Sequence, residues 1–169
     1  RSLAEFDTHI LWNLDSADLQ PGHWVELAAF LHGRLESYDG AVVVVGTDTM
    51  AYTASALAFL LPDLDRPVVL TGAQRPLCEV RTDARTNLVD ACHIATLPVP
   101  EVGIAFSSQF LRGCRATKID SWSMTAFESP LCRPLVELGL GVYIASHVLP
   151  PRPVGGFDPR IDPDVLTVR

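Results

Sequence analysis

Residues 41–50 read AVVVVGTDTM. Val42 to Val45 form a β-branched run with no polar alternation, as expected of a short strand covered on both faces. The run stops at Gly46, where a residue without a Cβ lets the backbone turn tightly. Thr47-Asp48-Thr49 follow, and MAYTASALAFLLPDLD (50–65) then reads as a helix ended by Pro62. A strand, a glycine turn and a helix in that order are the repeating unit of a parallel sheet, so this stretch decides the fold.

The same alternation extends outward. FDTHILW (6–12) alternates inward and outward like a strand. PGHWVELAAFLHGRLESYDG (21–40) has Pro21 suited to a first helical turn. Trp24, Leu27, Ala28, Leu31 and Leu35 follow at helical spacing, with Gly40 as terminator. PVVLTG (67–72) is a second buried strand, RTDARTNLVDACHIATL (81–97) another helix, and VGIAFSS (102–108) a third buried strand. The expected class is α/β, an open, mostly parallel sheet flanked by helices and joined by right-handed crossovers.

After residue 108 the pattern changes. FLRGCRATKIDS (110–121) predicts a short antiparallel excursion turning at Gly113, and SWSMTAFESPLCRPLVELGLG (121–141) is less regular. PPRPVGGFDPRIDPD (150–164) has the proline and glycine content of a linker. The expected organisation is an α/β domain over 1–148, a linker over 149–163, and the first strand of a truncated further domain in DVLTVR (164–169).

The chain has 169 residues, 48% hydrophobic and 20% charged, which suits one globular domain with a real core. A net charge of −7 and a pI near 5.1 repel a phosphate backbone, so nucleic acid is not an expected partner. No apolar stretch approaches a membrane span and no signal peptide opens the chain. Cys78, Cys92, Cys114 and Cys132 form no CxxC pair and are expected as reduced, buried thiols in a cytoplasmic protein.

In an open parallel sheet, ligands gather at the carboxyl edge, where strands end and helices begin. GTDT (46–49) occupies that edge after the valine run, with Thr47 and Asp48 at a helix N-terminus that favours negative charge. TGAQRP (71–76) sits at the same edge, as does the turn in NLDSADL (13–19) carrying Asp15 and Ser16. Thr and Asp at such a place also serve as helix caps, and the pattern alone leaves both roles open.

DGAVVVVGTDTMAYTASAL (39–57), RPVVLTGAQRPL (66–77), VRTDARTNLVDA (80–91) and RGCRATKID (112–120), in this order and spacing, closely resemble the bacterial-type L-asparaginases. MAYTASAL and the absent signal make the cytoplasmic branch the most similar. That family attacks the side-chain amide with a threonine, forming an acyl-enzyme that water hydrolyses. The resemblance puts a proton-handling set on Thr47, Asp48 and Lys118, and a hydroxyl relieved of its proton by a nearby base is a competent nucleophile. It also assigns the substrate's α-ammonium to Asp48 and its α-carboxylate to Ser16, with Asp15 beside it. The Ala73 carbonyl would face the scissile amide.

Two features depart from the family pattern. The principal nucleophile sits in a TGGT-like motif on an N-terminal strand, and nothing here matches it. A histidine usually precedes GTDTM, where this chain has Val45. A segment upstream of Arg1 is therefore expected in the native protein. The resemblance implies L-asparagine hydrolysis with weak glutaminase activity possible, no cofactor or metal, and a homodimer or homotetramer. Two alternatives stand beside it. One is the ammonia-releasing subunit of a tRNA-dependent amidotransferase; the other is an asparagine-binding domain without catalysis.

Overall fold

The computed structural model describes residues 3–153, 155, 157, 159–162, 164 and 165. Within them, eight strands and three α-helices follow one another. They are α1 (Pro21–His32), β1 (Ala41–Val44), α2 (Met50–Leu60), β2 (Val68–Thr71), α3 (Ala84–Ile94), β3 (Val102–Phe106), β4 (Gln109–Arg112), β5 (Thr117–Lys118), β6 (Phe127–Glu128), β7 (Val136–Leu138) and β8 (Val142–Ile144). Six strands make one open sheet in the order β1-β2-β3-β4-β7-β8, and β5 pairs with β6 separately. β1, β2 and β3 run parallel; β4, β7 and β8 continue antiparallel. The α/β class and open sheet stand as the sequence predicts.

Period-two alternation of the strands splits the core in two. Val68, Leu70, Ile104, Phe106 and Leu111 face one side and pack with Leu27, Leu31, Met50, Ala54 and Leu57 of α1 and α2. Val69, Ala105, Phe110 and Val136 face the other, against Ala91 and Ile94 of α3. β2 and β3 are therefore buried along their whole length, which explains their unbroken apolar sequences.

Several expectations change. Residues 6–12 form no strand; Phe6 and Ile10 are exposed, and only Leu11 and Trp12 pack against the core. Helix α1 stops at His32, capped by Gly33, and a 3-10 turn (Leu35–Ser37) intervenes before Gly40. β1 is an edge strand rather than a doubly covered one, with Val44 70% exposed. The antiparallel turn lies at Ser107-Ser108 instead of Gly113, which instead opens a 3-10 turn (Gly113–Arg115). All four cysteines are free, but Cys78 is exposed and the others only half-buried. Asp164 and Val165 lie outside any strand, and residues 166–169 of the proposed next strand lie outside the described residues.

The Ser107-Ser108 turn has both φ angles positive, 50° and 60°, the backbone a two-residue hairpin needs and one that β-carbon-bearing residues resist. Side-chain bonds hold it there. The Ser107 N–H donates to Asn87 Oδ1 at 3.1 Å, Ser107 Oγ to the Met124 carbonyl at 2.7 Å, and Ser108 Oγ to Asp90 Oδ2 at 2.9 Å. No helix among the described residues is long and apolar enough to cross a membrane.

Candidate active site

The carboxyl ends of β1, β2 and β3 gather the loops that carry polar chemistry. Thr47 and Asp48 lie in the turn between β1 and α2, and Thr49 takes the N-cap place without a side-chain cap bond. Thr49 Oγ1 donates instead to the Ser16 carbonyl at 2.8 Å, stitching the Asp15-Ser16 turn to the sheet edge. Ser16 is buried, and a Cβ on Gly46 would stand 2.7 Å from Ser16 Oγ. A Cβ on Gly72 would stand 2.3 Å from the Val45 carbonyl oxygen. These two glycines let the three loops close to contact distance. Asp15 is exposed, and its Oδ1 accepts the Ala17 N–H at 2.9 Å, as a cap of the 3-10 turn Ser16–Asp18.

The β5–β6 ladder brings in the lysine. Lys118 Nζ donates to Thr47 Oγ1 at 2.8 Å and to Asp48 Oδ1 at 2.7 Å. Its side chain is 18% exposed, whereas that of Asp48 is 70% exposed. The three predicted proton-handling residues thus meet, but in a cleft open to water on the Asp48 side rather than the water-poor one a buried pair would need. Of the chain's 13 basic residues, Lys118 is the one lysine; the rest are arginines. Arginine keeps its proton at any working pH, whereas a lysine can give one up. The one side-chain amine in the chain therefore stands beside a hydroxyl and a carboxylate.

Beneath this trio lies a support that the sequence reading did not single out. The Asp83 carboxylate is 9% exposed and accepts the Gln74 N–H at 3.1 and 3.0 Å, the Arg75 N–H at 3.1 Å and Asn87 Nδ2 at 3.0 Å. Asn87, also buried, donates to the Gly72 carbonyl at 3.0 Å and accepts from Ser107. One Asp–Asn pair at i, i+4, from the N-cap position into α3, therefore fixes both the TGAQR loop and the hairpin turn. Ala73 sits between these anchors, half-buried. Farther on, backbone N–H groups of Ser123 and Trp122 hold the Asp120 carboxyl below its ordinary value.

Beside β1, a groove of about 1370 Å³ is lined by residues of the 3–14 segment and by Val42, Val43 and Val44. Its lining also includes Ser16, Gly46, Gly72 and Ala73. The open edge of β1 thus leads into the loop cluster.

The family described as "Asparaginase, N-terminal" matches residues 1–149. L-asparaginase 1 of Escherichia coli (strain K12) is 43% identical over 143 residues, 84% of this chain and 42% of that protein. The solved structure of the thermostable L-asparaginase from Thermococcus kodakarensis superposes with a TM-score of 0.88 at 34% identity, over 96% of this chain and 50% of that one. A glutamyl-tRNA(Gln) amidotransferase subunit of Pyrococcus horikoshii is 37% identical over 135 residues, 75% of this chain and 31% of that protein. The chain spans half or less of the length of each of these relatives. On the extent of the family match and of the shared fold, the chain belongs to the asparaginase family, within its N-terminal part.

Proposed function

We propose that the protein hydrolyses L-asparagine to L-aspartate and ammonia through a threonine acyl-enzyme. The observation that carries this reading is Lys118 Nζ within hydrogen-bond distance of both Thr47 Oγ1 and Asp48 Oδ1. In turnover, a threonine oxygen forms a bond to the amide carbon while its proton passes by way of Thr47 to Lys118. The same proton goes to the amide nitrogen as the C–N bond breaks, so ammonia leaves. Water then repeats the attack on the ester, with the proton route unchanged.

The attacking threonine, in this reading, belongs to a strand laid along the open edge of β1. The groove beside β1 supports it, because Gly46 and Ala73 are among its lining. A zwitterionic amino acid needs an anion site and a cation site together. Ser16, with Asp15 beside it, takes the α-carboxylate, and Asp48 takes the α-ammonium. The Ala73 carbonyl faces the amide. Glutamine is a slower substrate, since one methylene separates substrates by about 1–3 kcal/mol.

The four free thiols accord with a reducing compartment, and we place the activity in the cytoplasm. We also propose a homodimer or homotetramer, which light scattering would reveal. The domain division proposed is the α/β unit to residue 148, a linker to 163 and a further domain after it.

The test is ammonia release from L-asparagine by the product of the complete reading frame, with Thr47→Ala and Lys118→Met beside it. Release by the parent and its loss in both variants is expected; a parent that releases none overturns the proposal. A second reading, the ammonia-supplying subunit of a tRNA-dependent amidotransferase, is favoured by the likeness to the Pyrococcus horikoshii amidotransferase chain. Copurification with a second, different chain would support it over the first.

A further inference from the structure

We infer that Gln74 is a positioning residue which holds the Thr47 hydroxyl proton turned away from Lys118 and ties that hydroxyl to the loop following the lysine strand. The inference rests on the amidohydrolase reading for its kinetic consequence, but not for its geometry. Gln74 Nε2 lies 3.1 Å from the Ser123 carbonyl and 3.4 Å from that of Asp120. Carbonyls only accept, so the amide nitrogen must face them, and Oε1 is left facing Thr47 Oγ1 at 3.1 Å.

A threonine hydroxyl has one proton and two lone pairs. The Lys118 ammonium offers only donors, so it takes a Thr47 lone pair. Gln74 Oε1 offers only an acceptor, so it takes the Thr47 proton. Before a neutral Lys118 can receive that proton, the hydroxyl must rotate off Gln74. The side-chain amide is itself held by its two carbonyl partners, and the Gln74 backbone N–H is bound to the buried Asp83 carboxylate. Gln74 therefore leaves a Thr47 lone pair to the Lys118 ammonium.

That arrangement makes opposite predictions for two substitutions. Gln74→Met keeps the bulk and removes the acceptor, which frees the Thr47 proton to turn toward a neutral amine. The Lys118 titration midpoint then falls. Gln74→Glu keeps an acceptor at Thr47 and adds a negative charge, so the midpoint rises. Asp48 from the turn before α2, Asp120 along the chain and Glu128 across the ladder from Thr117 stay unchanged in both variants.

The experiment is ¹⁵N NMR of the full protein labelled at lysine, with Lys118→Arg identifying the resonance, alongside steady-state kinetics. Midpoints displaced in opposite directions by at least about half a pH unit support the inference. Unmoved midpoints, or two displaced the same way, overturn it. Should Gln74→Met not fold, Gln74→Leu, which also lacks the acceptor, takes its place, a fall supporting and its absence overturning. For Gln74→Met, the kinetic change is expected in kcat with KM within about threefold, as for altered proton control rather than altered binding. If the parent releases no ammonia while the midpoints separate, the proposed function fails and the positioning role stands.

Discussion

Lys118 Nζ sits 2.8 Å from Thr47 Oγ1 although 71 positions of chain separate them. The contact exists because β5 pairs with β6 and returns the chain to the carboxyl edge where β1 ends. Lys118→Met is expected to lower turnover by about three orders of magnitude or more, as for one member of a coupled catalytic unit. Lys118→Arg should restore none of it, since a guanidinium keeps its charge but does not release its proton. Ammonia release at matched thermal stability measures both.

Gly46→Ala tests the join between the Ser16 turn and the valine strand. The new methyl would stand 2.7 Å from Ser16 Oγ and 2.8 Å from Ser16 Cβ, so the turn must retreat. Such overpacking costs about 1–3 kcal/mol. With Ser16 proposed to hold the α-carboxylate, KM should rise more than kcat falls, as initial-rate kinetics on L-asparagine would show.

Asn87→Ala removes the link between the TGAQR loop and the Ser107 turn. It strands the Ser107 N–H and takes one donor from Asp83. Each buried group left unpaired costs about 1–3 kcal/mol. The strained backbone at Ser107 and Ser108 also loses one of its three tethers. A fall in the urea midpoint is expected, with lower turnover per folded molecule because Gln74 shares the Asp83 anchor.

Glu101 marks a purely structural pair at the opposite end of β3. Its buried carboxylate receives Arg112 through two bonds, 2.5 and 2.8 Å, and the Leu149 N–H at 2.8 Å. Glu101→Ala leaves the Arg112 guanidinium half-buried and uncompensated, a loss of about 3–5 kcal/mol. Thermal melting should show it, while turnover per folded molecule stays at the parent value.

Asp120 gives a pH signature. Its folded pKa is lowered by N–H donors, so its contribution is fully present above the unfolded value of about 4 and lost as pH falls through the folded one. The turn that presents the Asp120 and Ser123 carbonyls to Gln74 should loosen in that acid range. Amide exchange at Trp122 and Ser123 would register it, and Asp120→Asn, which accepts without titrating, should abolish the acid dependence.

β2 and β3 were legible because burial on both faces demands unbroken apolar runs, and PVVLTG and VGIAFSS have them. Residues 6–12 misled because alternation reports the faces a strand would have, not whether a partner pairs with it. The Ser107-Ser108 turn was hidden since it uses serines where glycine or asparagine normally signals positive φ. Thr47, Asp48 and Lys118 could be named from the resemblance, and their meeting is a property of the fold. Asp83, Asn87 and Gln74 escaped because each looks ordinary in its helix or loop. One signal was overlooked: Lys118 is the single lysine in these 169 residues, so the sequence offers one candidate amine.

That scarcity also shapes how the chain can be cut. A lysine-specific endoproteinase has one internal target here, the bond between Lys118 and Ile119, inside the β5–β6 pairing. Cleavage must wait for that ladder to open, so its rate counts openings of the strand that carries the amine. A ligand that bridges Thr47 and Asp48 would slow the knife without touching it.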